Sequence, residues 1–274
     1  MPKISIEIVV SHDSRLTETL ESIRQQTFQD YEVIVATDDS ATHETARSFD
    51  TKAIRTNKSG TLFRRIAAHE AATGQNSLLL EASRLLHEDC LSVLASHDED
   101  MVIVEEHDIG KSMISRIQNI ERHQNTLRSV RFSPAFLVAE PRFFKSEVLH
   151  DAFEGASQID SRILKWIQYG DLDIIYFEAF KKWRNVGTTS RPLIEHHTDA
   201  NIIGLLQKYY GYGQSNRLLR YTKYGDEFRL RHHLRPFFGF RNTVAVYSLT
   251  SIKAIAFLMG NIGRPRLSNE RPQE

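Results

Sequence analysis

The stretch "SLLLEASRLLHEDCL", residues 77–91, changes character in its middle. Leu78, Leu79 and Leu80 form a short apolar run that stops at Glu81-Ala82-Ser83, and a polar segment of helical composition follows. A short apolar run bounded by polar residues reads as a strand buried on both faces, the kind found in parallel sheets. Its acidic last residue then stands where the strand meets the loop.

The same layout recurs on either side. "KISIEIVV" (3–10), "YEVIVAT" (31–37), "KAIRT" (52–56) and "DMVIVEE" (100–106) read as further strands. Helices are expected between them. The first follows a Ser14 cap and has Leu16, Leu20 and Ile23 at helical spacing. The others are "HETARSF" (43–49), "TLFRRIAAHEAATG" (61–74), stopped by Gly74, and "HEDCLSVLAS" (87–96). Strands alternating with helices imply an α/β fold built on a parallel, right-handed, doubly wound sheet. Such sheets bind ligands beyond the carboxyl ends of their strands. Those ends fall at 11–13, 38–39, 57–60 and 81–84, and all are polar. A ligand crevice is therefore expected there on physical grounds alone.

The second half is less regular. Residues 110–128 read as a helix, 134–144 as a strand interrupted by Pro141, 160–170 as a helix closed by Gly170, and 172–180 as a strand. A helix with glycine breaks is expected over 199–225 and a last helix over 243–260.

The composition narrows the function classes. With 274 residues, 41% of them hydrophobic, the chain can bury the core of one α/β domain with appendages or of two small domains. Lys+Arg and Asp+Glu balance at 35 each, so no global charge argues for nucleic acid. The single cysteine, Cys90, excludes an intramolecular disulfide and a cysteine-based zinc site, and it fits a reducing, cytoplasmic compartment. Met1-Pro2-Lys3 runs straight into a strand, so no signal peptide is expected. There is no GxGxxG fingerprint and no P-loop. Residues 217–241 are basic with interleaved aromatics, and 243–260 are apolar apart from Lys253 and hydroxyl residues. Lys253 would cost roughly 2.5–3.5 kcal/mol at the centre of a spanning helix on insertion scales. Two readings remain: an in-plane anchor on the inner face of a membrane, or a helix packed on the domain.

"LTETLESIRQQTFQDYEVIVATDDS" and "RRIAAHEAATGQNSLLLEASRLLHEDCL" resemble family 2 glycosyltransferases of the GT-A fold. The likeness covers roughly residues 3–220 and is strongest over 3–91. It implies a GT-A domain over 1–198, a Rossmann-like, mostly parallel central sheet flanked by helices, with a nucleotide-binding half (1–106) and an acceptor half (107–198), followed by a helical extension over 199–274. It also implies inverting transfer from a nucleotide-diphosphate sugar to a lipid-linked or glycan acceptor. Position by position, Ser11, Asp38 and Arg65 take nucleotide-binding places, and Glu81 and Ser83 take the two Asp-x-Asp places. Asp160, in "QIDSRILKW", takes that of the general base. His196 or His197, in "LIEHH", takes that of a site histidine. A Mg²⁺ or Mn²⁺ ion would use Glu81, Ser83 and His197. Arg84, beside the altered Asp-x-Asp, offers a forked partner for diphosphate oxygens instead. The other class left open is a GT-A-fold binding or scaffold subunit that has lost catalysis.

Overall fold

A computed structural model describes residues 2–11, 15–128, 139–167, 169–197, 201–225 and 240–262. Its centre is a seven-stranded sheet. β1 (Ile4–Val10) is buried along its whole length, as its Ile and Val content requires. It lies between β2 (Tyr31–Thr37) and β4 (Asn76–Glu81) and runs parallel to both, with Ile4 opposite Tyr31 and Asn76. β3 (Lys52–Arg55) extends the sheet beyond β2. On the other side β8 (Phe143–Lys145) runs antiparallel to β4 and to β6 (Met101–Ile103), and β9 (Val186–Thr188) closes the edge parallel to β6. The sheet is thus mostly parallel, with β8 the one opposed strand.

Both faces are covered, which explains the unbroken apolar run of β4. Leu78 and Leu80 face α1 (Leu16–Arg24) and α4 (Cys90–Leu94), while Leu79 faces α3 (Thr61–Ala71), α6 (Ser146–Ser157) and α8 (Asp171–Lys182). α2 (Ser40–Arg47) completes the first layer through Ala46.

Several expectations need correction. Residues 172–180 lie in α8 and not in a strand, because a helix buried on nearly every side shows no amphipathic period. Gly170, at φ 89°, starts α8 instead of closing a helix. The expected 160–170 helix is the short α7 (Ser161–Leu164). Gly74 is not a helix stop, since α3 ends at Ala71. A Cβ on Gly74 would lie 2.6 Å from the Ser5 amide nitrogen, so glycine is needed for close approach to β1. The expected 100–106 strand splits into β6 and β7 (Glu106–Asp108). The Ser14 cap and residues 134–138 lie outside the described residues.

A second, three-stranded sheet was not anticipated. β10 (Ile194–His196) pairs antiparallel with β5 (Arg84–Leu86) and parallel with β7, which puts Arg84, His196 and Asp108 in one cross-strand row. The helical extension forms α9 (Ile202–Leu219), unbroken at its glycines, and α10 (Phe240–Asn261), which packs on α9 and on α5 (Met113–Arg128). Leu218, Leu219 and Tyr224 of the extension join the core around α6 and α8.

Candidate active site

The carboxyl ends of β1, β2 and β4 form one polar rim. Val10 is in register with Thr37, so Ser11 and Asp38 each stand one residue past a paired position. Glu81, opposite Val9, closes β4 beside them. Ser11 is exposed. Asp38 pairs with Arg64 of α3 at 3.0 Å. Its neighbour Asp39 caps α2, accepting from the Thr42 amide at 2.7 Å, so the two aspartates have separate tasks.

Glu81 is the centre of an ionic network. One of its oxygens takes a guanidinium N–H of Arg65, and the other takes those of Arg84 and, at 3.1 Å, Arg142. Arg142 just precedes β8 and also reaches Glu106 at 2.5 Å. Glu106 accepts from Arg84 Nε at 2.8 Å and from Arg122 of α5 at 2.6 Å. Arg122 continues to Asp108 at 3.3 Å and lies 3.0 Å from His196 Nδ1. Burial alone would raise the Glu81 carboxyl, but Arg142, Arg84 and Arg65 outweigh it and hold the group down to about 2. Arg142, Arg84 and Arg122 likewise overcome the effect of burial on Glu106 and hold its carboxyl well below its ordinary value. Burial, assisted by Arg84, pushes His196 down to about 3, so its ring is neutral at pH 7, with Nδ1 3.0 Å from an Arg122 nitrogen and 3.2 Å from an Asp108 oxygen.

These placements revise the expected site. Arg65 has no exposed side-chain area and bridges Glu81 to Asp171 at the start of α8. It lies beneath the crevice as a positioning residue, not on the ligand-facing wall, because two carboxylates draw it inside. Arg64 is the arginine paired with the rim. Ser83 joins His197 only through the backbone, its carbonyl accepting from the His197 amide at 3.1 Å. The His197 ring lies 3.2 Å from a Glu18 oxygen on α1. Glu81, Ser83 and His197 therefore do not converge as a metal site: both Glu81 oxygens are taken by guanidiniums, Ser83 has no carboxylate, and His197 faces Glu18. Among the described residues no group of His, Cys, Asp and Glu side chains fits a metal ion. Asp160 is exposed and caps α7; it accepts from the Arg162 amide at 2.8 Å and pairs with the Arg162 guanidinium at 2.6 Å. Hydrogen bonding by Arg162 holds its carboxyl below the ordinary value. Its contacts are local, and among the described residues none joins it to the Glu81 network.

Sequence reasoning missed Arg64, Arg122, Arg142, Glu106 and Asp108. The one available signal was the acidic pair Glu105-Glu106 at the end of an apolar run. The arginines that join it to Glu81 are far away in the chain and fit no local pattern.

A family model described as "Glycosyl transferase family 2" matches residues 8–149, more than half of the chain. The chain belongs to glycosyl transferase family 2. The fold agrees: the crystal structure of S. aureus TarS superposes with a TM-score of 0.53 at 12% identity, covering 94% of this chain and 55% of that one. This chain therefore spans little more than half of TarS. TarS 1–349 in complex with UDP gives a TM-score of 0.50 at 12% identity, covering 94% of this chain and 90% of that one. No curated protein sequence matches. As a member of family 2, the chain has a GT-A fold, and the carboxylate that ends β4, Glu81, is saturated by arginines.

Proposed function

We propose that the chain is an inverting glycosyltransferase, moving a hexosyl group from a nucleotide-diphosphate sugar to a lipid-linked or glycan acceptor. The observation that carries this reading is the rim of Ser11, Asp38 and Glu81 on three adjacent parallel strands, backed by cationic side chains, in a family 2 chain. A nucleoside fits against Ser11 and Asp38, and its diphosphate against the arginine-lined end of β4. That a TarS structure sharing this fold was determined with UDP supports the donor class. In the transfer, the acceptor hydroxyl oxygen bonds to the anomeric carbon as the bond from that carbon to the diphosphate oxygen breaks. The electron pair leaves with the nucleoside diphosphate, and the hydroxyl proton passes to a carboxylate, assigned here to Asp160. Asp160→Asn is expected to lower turnover at least about 100-fold while nucleotide binding stays within about twofold. Undiminished turnover would remove Asp160 from this role. Failure of every nucleoside diphosphate to bind would favour a scaffold subunit.

The acceptor reading includes placement on the inner face of a membrane. Lys253, expected to burden an apolar helix, is turned inward: it pairs with Glu121 of α5 and sits 5.2 Å over the Tyr209 ring. The outward side of α10 keeps Val244, Ile252, Ile255, Leu258, Met259 and Ile262 exposed, with no charged residue among its exposed described positions. An uncharged apolar face of this kind suits the headgroup–acyl boundary. Co-sedimentation with phosphatidylglycerol vesicles is expected, and Ile255→Glu with Leu258→Glu should weaken it about tenfold. Equal binding by the variant would assign α10 to packing on the domain alone.

A further inference from the structure

Resting on the nucleotide-sugar reading above, we propose that Lys208 of α9, with Arg84, holds the donor's diphosphate in place of a divalent metal. Arg65, Arg84, Arg122 and Arg142 are matched by carboxylates, namely Glu81, Glu106, Asp108 and Asp171. Lys208 is the cation added to this balanced set. Its ammonium lies 5.8 Å from the Tyr212 ring centroid, and no carboxylate among the described residues pairs with it. A half-buried ammonium that feels Arg122 and Arg84, and that no carboxylate among the described residues pairs with, marks a place of positive potential where an anion is favoured. The groups acting on it come from three elements: Arg122 of α5, Arg84 of β5, and Glu106 and Asp108 of β7. Burial first, then Arg122 and Arg84, lower Lys208 to about 8, so it stays protonated at pH 7.

The metal position argues the same way. A divalent cation held by carboxylates would offset the charge on the leaving diphosphate. Here the surviving carboxylate is engaged by three guanidiniums, so the charge that would meet the diphosphate is positive already. Arg84 offers planar N–H donors and Lys208 a compact ammonium, two complementary partners for phosphate oxygens. This assignment brings the helical extension into the donor site.

The sign of the pH dependence follows. A bound anion raises the Lys208 pKa above its free value of about 8, so binding is strongest below pH 8 and weakens as pH rises through it. The test is calorimetry with UDP, GDP, ADP and CDP in turn, in EDTA and in Mn²⁺, at pH 7 and pH 9. At least one diphosphate is expected to bind in EDTA within about threefold of its affinity in Mn²⁺, with inorganic pyrophosphate competing and proton uptake near pH 8. Lys208→Met should weaken diphosphate binding about tenfold or more, leave the corresponding nucleoside unaffected, and abolish the proton uptake. Lys208→Arg should restore affinity and remove the fall between pH 7 and pH 9, and it serves as the test variant if the methionine form does not fold. Binding that requires Mn²⁺, or that is indifferent to both substitutions, overturns the metal-free cradle and leaves the donor reading standing. Absence of binding under every condition overturns the donor reading and the cradle with it.

Discussion

Arg65 shows how one residue's role depends on what surrounds it. In sequence it fills a family position associated with the nucleotide. In the fold its guanidinium is wholly buried and joins Glu81 to Asp171, tying β4 to the start of α8. Removing one partner of a buried ionic group leaves the others uncompensated, which costs about 3–5 kcal/mol. Arg65→Met is therefore expected to destabilise the protein by about that amount, read from urea denaturation. It should also lower turnover by loosening Glu81. A variant of unchanged stability would mean that water replaces the guanidinium. The role of Arg65 was not legible locally, because its partners lie at positions 81 and 171, on separate elements.

At the scale of elements, α9 and α10 meet through glycine. A Cβ on Gly213 would lie 2.1 Å from the Phe257 carbonyl oxygen, and one on Gly260 would lie 2.0 Å from that of Tyr210. Both obstacles are backbone, so neither helix can yield by moving a side chain. The sequence suggested that the glycines within 199–225, Gly213 among them, would break that helix. The structure uses them instead to bring two continuous helices together, a device common where small residues line a helix interface. Gly213→Ala is expected to destabilise the hairpin by about 1–3 kcal/mol, with faster amide exchange in α10 than in β1. Uniform exchange rates in the variant would show that α10 does not depend on this contact. The same pairing aims Lys253 at Glu121 and turns Ile255 and Leu258 outward.

Across the whole molecule, the ionic network ties the main sheet, the small sheet and α5 together, so acid should act on all three. The Glu81 carboxyl is lowered from 4.5 to about 2 in the folded state. A depressed carboxyl contributes stability that is fully present above pH 4.5 and lost as pH falls toward 2. The urea midpoint is expected to drop steeply across that window. Glu81→Gln should be less stable at pH 7 and flatter in acid. An equally steep decline in the variant would assign the acid sensitivity to Glu106 and Asp108.

Much of the fold was legible locally. The strands at β1, β2 and β4 declared themselves because strands buried on both faces are rich in apolar residues, even where β1 also buries Ser5 and Glu7, and their polar ends located the rim at Ser11, Asp38 and Glu81. α8 was misread for a related reason: burial on all sides erases the period that separates helix from strand. The sequence by itself determined the layered α/β plan, the family and the side of the sheet that holds the crevice, since each rests on short-range pattern. Only the tertiary structure decided what surrounds Glu81, which arginine reaches the rim and where Lys208 and Lys253 turn. Charge pairing acts over a few ångströms in space with no regard to separation along the chain, so residues 65, 84, 106, 122, 142 and 208 become one site only once the sheets and α9 have brought them together.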